Sequence, residues 1–298
     1  MHESSPLGAS LYVPATHGDL ALIAAGYKLS GVRSIIFCTE DAVTQAEMPA
    51  ALANLSRALK KLKPVDGQRR FVRPRNPDVL RQILGMPGAS SLDGFVLPKV
   101  TTDSIDDYMA IVEAAGTHRH LVMPTLETRE VFSDAAIHEL LRKMDGARWR
   151  NRILTLRIGG NDLLSLLRMR RPRGRTIYET PIGHVIARLA TTFIPYGFSL
   201  SAPVFEHLDD TKTLSREIEE DLNHGLVGKT AIHPMQVSFI ERHYKVCQQD
   251  VEAALSILSP KAPGVFQLHQ SMCEPATHQP WAQSILEAER HFGCVNVT

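Results

Sequence analysis

The chain has four cysteines, Cys38, Cys247, Cys273 and Cys294, and no C-x-x-C pair. Neither a thiolate zinc site nor a disulfide framework is therefore indicated, and a reducing, cytoplasmic setting is expected. Charge of one sign is not in excess: 33 Lys and Arg stand against 32 Asp and Glu, a formal net charge of +1. That balance argues against whole-surface attraction to nucleic acid or an anionic membrane. No apolar run reaches the roughly 18 residues of a transmembrane candidate. The N-terminal MHESSPLGASLYVPATHGD carries neither a basic leader nor an unbroken apolar stretch, so no secretory signal is expected. Internal repeats and low-complexity tracts are also missing. What remains is an ordinary globular balance, 44% hydrophobic and 22% charged, with enough apolar content for a large core.

Along the 298 residues, eight short apolar runs end in polar or turn residues. They are SLYVPA from Ser10, SIIFCTED from Ser34, RFVRPRN from Arg70, GFVLPKV from Gly94, HLVMPTLET from His120, ILTLRIGGND from Ile153, FSLSAPVFE from Phe198 and GKTAIHP from Gly228. Helical patterns fill the gaps, for example Gly18 to Ser30, Ala42 to Lys63, Pro77 to Leu84 and Ser104 to Gly116. Strands alternating with helices imply right-handed βαβ units, and eight of them close most naturally into a (β/α)8 TIM barrel. An amphipathic helix over Met235 to Leu258 completes the expected barrel domain, residues 1–258. A Pro/Gly-containing linker, Ser259 to Gly264, then leads into a C-terminal extension, 259–298, with one helix from Pro280 to Phe292. The extension is too short for a core of its own and is expected to pack on the barrel or on a neighbouring subunit.

In such a barrel, polar residues just past the strands converge on one rim. They are Glu40 and Asp41 after the second run, Arg73 and Asn76 around the third, Lys99 after the fourth, Glu127 after the fifth and Asp162 after the sixth. Glu206, Asp209 and Asp210 follow the seventh, and Lys229 and His233 bound the eighth. Glu127 and Asp162, taken singly, could each cap the helix that follows. Together on adjacent strand ends they suit Mg²⁺, which takes oxygen ligands and rarely an all-protein cage. Arg73 is either a solvated basic edge or, turned inward, a grip for a substrate carboxylate that then needs an acidic partner. Lys99 is a surface lysine, a Schiff-base nucleophile or a fixed charge paired with Glu40 or Asp41; the ionic network is the favoured reading. The glycines of RIGGND lack the G-x-G-x-x-G pattern and are a weak phosphate-loop signal. RMRRPRGR, Arg168 to Arg175, reads as a solvated loop, with phosphate binding of an acyl-coenzyme A as the alternative.

The ordered series SLYVPAT, IIFCTEDAV, FVRPRN, FVLPKV, MPTLET, RIGGNDL and GKTAIHPMQ, spanning most of positions 10 to 236, resembles the citrate lyase beta-subunit family of Mg²⁺-dependent carbon–carbon lyases. The resemblance implies a barrel that binds Mg²⁺ through Glu127 and Asp162, with Arg73 on the substrate carboxylate and Glu40 and Asp41 in the second-strand acidic motif. Gly160 and Asn161 fall at its substrate-binding turn. Glu274 of SMCEPA matches an acid that closes over the site from a neighbouring subunit in a homo-oligomer, a trimer or larger. The implied substrate is a small 2-oxo acid or an acyl-coenzyme A. Three features depart from the family pattern: Cys38 and Thr39 in FCTEDAV, Arg157 in RIGG, and the YETPIG segment near Tyr178. They point to a divergent branch resembling the lyases encoded in tellurium-resistance and stress-response operons. Outside that family, a Lys99 Schiff-base aldolase and a non-catalytic barrel using RMRRPRGR as a contact surface are the alternatives.

Overall fold

The computed structural model describes residues 7–116 and 120–296. These fall into two compact units that divide between Val237 and Ser238. In the first, eight strands run parallel: β1 (Gly8–Pro14), β2 (Ser34–Cys38), β3 (Arg69–Arg73), β4 (Gly94–Leu97), β5 (Leu121–Leu126), β6 (Leu156–Ile158), β7 (Leu200–Ser201) and β8 (Gly228–Ala231). Each strand pairs with the next, and β1 pairs with β8. Between β7 and β8 the bridge Ala202–Lys229, with Ala202 N donating to Gly228 O at 2.7 Å, draws the sheet into a (β/α)8 barrel. All eight apolar runs are strands, although β6 and β7 are short. Gly159 and Gly160 turn β6 straight into a helix, and Pro203 follows β7 where no further ladder N–H is available.

Seven helices cover the strands: α1 (Leu20–Ala24), α2 (Met48–Leu59), α3 (Pro77–Leu84), α4 (Ser104–Ala114), α5 (Asp134–Asp145), α6 (Gly160–Leu166) and α7 (Pro181–Phe193), with α8 (Thr211–Asn223) before β8 as an eighth. Their start signals are local. Asn76 caps α3, its Oδ1 accepting from Val79 N at 2.9 Å, with Pro77 at the first helical position, where a missing N–H costs nothing. Apolar residues at helical spacing face the strands, for example Met48, Ala51, Leu55, Ala58 and Leu59 of α2. Inside the barrel Ile36, Phe71, Val96 and Met123 form one cluster, with Tyr12 packed against it. Each such side chain contributes about 1.5–3 kcal/mol when removed from water.

Helix α9 (Pro234–His243) crosses the division between the units, and the second unit continues with α10 (Gln248–Ile257) and α11 (Pro275–Phe292). The single helix expected over Met235 to Leu258 is therefore two. Val246 and Cys247 leave the helical path to form β9, which pairs in parallel with Cys294–Val295. Apolar spacing continues through the break, so periodicity does not reveal it. Helix α11 starts at Pro275, five residues before the proline expected to open it, and Pro280 lies within it. A hairpin, Phe266–Leu268 with Ser271–Cys273, turns on His269 and Gln270, both at positive φ (49° and 62°). This unit has its own apolar cluster, Ala254, Ile257, Cys273 and Ala282, so the expected linker Ser259 to Gly264 runs inside it. Among the described residues, no helix is long and apolar enough to cross a membrane.

Candidate active site

The ends of β2 to β6 bring six of the expected side chains together. Arg73, the last residue of β3, points inward and sends Nη2 to three carboxylates: Glu40 Oε2 at 2.9 Å, Glu127 Oε1 at 3.0 Å and Asp41 Oδ2 at 3.2 Å. The acidic partner that an inward arginine requires is thus supplied threefold, and no solvated edge forms. Lys99 follows β4 with a left-handed backbone, φ 49°, uncommon for a residue with a side chain. That conformation lets its N–H donate to Glu127 Oε1 at 2.8 Å while Nζ reaches Glu40 Oε1 at 2.7 Å, Asp162 Oδ1 at 3.3 Å and Asp41 Oδ1 at 3.5 Å. The loop after β2 is held by Arg75, whose guanidinium donates to the carbonyls of Thr39, Glu40 and Val43.

Asp162 lies in the first turn of α6 and makes no capping bond; Lys99 takes its carboxylate instead. Gly159, in the sequence only part of a weak phosphate-loop signal, shapes the site. A Cβ there would fall 2.2 Å from Glu127 Oε2 and 2.5 Å from Glu127 Cβ, so only a glycine leaves room for that acid. Gly160 is equally confined, by Ile177 and Pro203 at 2.7 and 2.8 Å. Asn161 is exposed beside it.

Four carboxylates face two cations here, which leaves two negative charges unbalanced. The crowding shifts the pKa values of these acids. Burial pushes Glu127 up to about 7, against the pull of Arg73 and with repulsion from Asp162 adding to it. Glu40 is raised by burial and by sharing with Asp41, while Asp41 is held low, despite burial, by its contact with Glu40 and by Arg73. Lys99 moves the other way. Partial burial works against its charge, but Glu40 and Asp162 more than offset that and hold the ammonium protonated. A Schiff-base nucleophile must be a neutral amine, so the network is the role this geometry fits. An all-oxygen set of two rim carboxylates with surplus negative charge fits Mg²⁺. Among the described residues, no group of three or more His, Cys, Asp or Glu is arranged to hold a metal.

The remaining expected rim residues are placed elsewhere. Lys229 turns outward to Glu217 Oε1 (2.9 Å) and Asp221 Oδ2 (2.8 Å) on α8. There Arg171 also bonds Glu217, and Tyr178 donates to Asp221 Oδ1 at 2.7 Å. Asp210 caps α8 through Thr213 N, and Asp209 pairs with Arg173. RMRRPRGR is a solvated loop, as its charge pattern predicts, except that Arg171 is buried; Arg173 also holds Asp209 and Arg175 holds Glu179. Glu274 sits at the N-cap of α11 in the second unit, where its Oε2 accepts from Thr277 Oγ1 at 3.1 Å.

The fold has counterparts among solved structures. A citrate lyase from Burkholderia xenovorans superposes with a TM-score of 0.76 at 17% identity, covering 98% of this chain and 94% of that one. The CitE protein of Mycobacterium tuberculosis, solved with magnesium, acetoacetate and coenzyme A, gives 0.69 at 20%, covering 96% and 98%. Haloferax volcanii malate synthase, solved with magnesium and glyoxylate, gives 0.65 at 15%, covering 94% and 87%. At these identities the likeness is one of fold. A search of curated proteins returns no match. The family model described as C-C_Bond_Lyase of the TIM-barrel fold matches residues 1–294. A closed eight-stranded barrel with this acid-rich rim, matched by that model from end to end, belongs to the carbon–carbon bond lyases of the TIM-barrel fold.

Proposed function

We propose that this chain is a Mg²⁺-dependent lyase that makes or breaks a carbon–carbon bond beside a 2-oxo or thioester carbonyl, with a 2-oxo acid or an acyl-coenzyme A as substrate. The observation that carries this reading is the crowding of four carboxylates, Glu127 and Asp162 among them, around only two cations, with Glu127 raised to about 7. Those two carboxylates would hold the ion, which supplies Lewis acidity to the carbonyl. The solved neighbours with magnesium and small acids support the same assignment by analogy of fold.

Arg73 has the donors to hold a substrate carboxylate. All three of its ion pairs use Nη2, and Nε is buried without a partner. Binding there places positive charge where an enolate develops. Glu40, raised toward protonation and joined to Asp41, is positioned to exchange the proton, with Lys99 fixing both acids. Gly160 and Asn161 offer backbone N–H groups at the start of α6 to substrate oxygens. Assembly as a cytoplasmic homo-oligomer, a trimer or larger, would let Glu274 of one subunit serve the rim of another.

The test is a thermal-shift titration with Mg²⁺, alone and with pyruvate, oxaloacetate, glyoxylate and acetyl-coenzyme A, on wild type and Asp162→Ala. A ligand at 100 times its Kd stabilises the native state by about 2.7 kcal/mol. Stabilisation by a 2-oxo acid that requires Mg²⁺ and vanishes in Asp162→Ala is expected; its persistence in the variant refutes the metal assignment.

A further inference from the structure

Below the rim, on the barrel axis side of β6, a guanidinium is buried without an acid. Arg157 is 2% exposed. Its Nη2 donates to Thr230 Oγ1 at 2.6 Å, its Nη1 lies 3.8 Å from Met123 Sδ, and its Cζ lies 5.5 Å from the ring centroid of Tyr12. These contacts reach β8, β5 and β1, so the side chain spans the barrel interior. Among the described residues Arg157 bonds no carboxylate. Of the other buried cations of this unit, Arg73 has three acids, Arg171 has Glu206 and Glu217, and Lys229 has Glu217 and Asp221, while Arg70 donates to Gln68 Oε1 at 3.4 Å and feels the charge of Asp93. A hydroxyl, a thioether and a ring face solvate a cation only in part, and an unpaired buried charge is costly.

Two further groups in the same layer lack partners. Thr125 on β5 and Ser201 on β7 are the register partners of Arg157 on either side, and Thr125 Oγ1 and Ser201 Oγ are both buried without a hydrogen bond. Buried hydroxyls are nearly always satisfied, so two unsatisfied ones flanking an uncompensated cation mark a place prepared for an anion. The layer lies directly beneath the rim. Arg157 precedes by two residues Gly159, on which Glu127 rests, and Arg73 Cζ approaches the same Tyr12 ring at 6.0 Å. Tyr12 and Thr230 are only half-buried, which leaves the layer open toward the β1–β8 side of the mouth.

We infer that Arg157, with Thr125, Ser201 and Thr230, recognises a second negatively charged group of the substrate whose first carboxylate is held at Arg73. Arg157 is thereby a specificity residue that selects dianionic over monoanionic 2-oxo acids. The inference rests on the rim being the substrate site, as proposed above.

Isothermal titration of the full chain in Mg²⁺ tests it, with pyruvate set against oxaloacetate and 2-oxoglutarate, which carry a second carboxylate beyond the 2-oxo acid head. Wild type is expected to bind one of the diacids about tenfold or more tightly than pyruvate, the increment of one charge-assisted contact. Arg157→Met loses that increment while its affinity for pyruvate stays within about twofold, and Arg157→Lys retains part of it. The ligand-free melting temperature of Arg157→Met equals or exceeds that of wild type, because an unpaired buried charge is removed. Equal binding of pyruvate and both diacids by wild type overturns the inference without recourse to any variant. So does a diacid preference that survives in Arg157→Met, or a steep fall in that variant's melting temperature with pyruvate binding lost. No binding of pyruvate or diacid by wild type overturns the rim assignment as well.

Discussion

Replacing Gly159 by alanine adds one methyl group and puts the site geometry to the proof. Gly159 has φ −89° and ψ 76°, a conformation an L side chain tolerates, so backbone strain does not enter. The cost is contact. The new Cβ would lie 2.2 Å from Glu127 Oε2, 2.5 Å from Glu127 Cβ and 3.0 Å from Glu127 Cδ, where about 3.5–4.0 Å is comfortable. A carboxylate oxygen can rotate away, but Glu127 Cβ is one bond from β5 and retreats only if the strand does. Overpacking of this kind costs about 1–3 kcal/mol. If the carboxylate swings instead, it loosens the bonds from Arg73 Nη2 (3.0 Å) and Lys99 N (2.8 Å), each charged contact contributing about 1.5–3 kcal/mol. Reduced freedom of the unfolded chain returns about 0.4–1 kcal/mol. The net expectation is a loss of about 1–4 kcal/mol, read as a lowered urea midpoint at unchanged slope. Displacing Glu127 by about 1 Å also lowers turnover roughly a hundredfold and abolishes the Mg²⁺-dependent thermal shift. Gly18→Ala, where a Cβ would meet nothing within 4 Å, serves as the control. A Gly159→Ala protein with wild-type midpoint and an intact Mg²⁺ response would refute the packing argument and the placement of Glu127 together.

Two other outcomes follow from the charge pairs behind β8 and beside α7. Lys229→Met leaves Glu217 to Arg171 and the Ile177 N–H and Asp221 to Tyr178, and breaking a buried pair in this way is expected to destabilise by about 3–5 kcal/mol in urea titration. Glu179, whose carboxyl is held down to about 2 by hydrogen bonds from Arg175 and the Thr176 N–H, lends stability above its ordinary value of 4.5 that is lost as pH falls toward 2. Glu179→Gln should therefore lower the melting temperature above about pH 5, flatten part of the acid limb of the profile, and converge with wild type as pH approaches 2.

The barrel was legible because its signal repeats. Eight apolar runs with helical spacers have few other ways to pack, and the polar residue after each strand projects where the topology sends it. Arg73, Lys99, Glu127 and Asp162 were visible for that reason. Lys229 was misplaced because it begins a strand instead of ending one, and a two-residue parity decides between the barrel interior and the α8 side. The same parity would have marked Thr125 and Arg157, each two residues before Glu127 and Gly159 on an inward face. Gly159 could not be read at all: its role depends on the distance to a side chain on the neighbouring strand, 32 positions away. The break at Tyr244 to Cys247 was hidden for a similar reason, since β9 forms only because Cys294 and Val295 lie beside it.

Electrostatic closure separates the parts of this barrel that hold it together from the part that faces a ligand. Behind β8, Arg171 and Lys229 meet Glu217, Asp221 and Glu206, Ile177 N and Tyr178 Oη donate into Glu217 and Asp221, and Glu206 keeps some contact with water. That network is closed mostly by its own donors and has the character of a structural clamp between α8, β8 and the loop before α7. The rim is not satisfied: it lacks two positive charges. One layer below, Arg157 lacks a negative one. Had the imbalance been a matter of stability, Arg157 could have paired with the rim acids, yet Arg73 and Lys99 take those and leave it alone beside two idle hydroxyls. Opposite deficits stacked within one barrel mouth are what a bound divalent cation and a substrate bearing two carboxylates would close together.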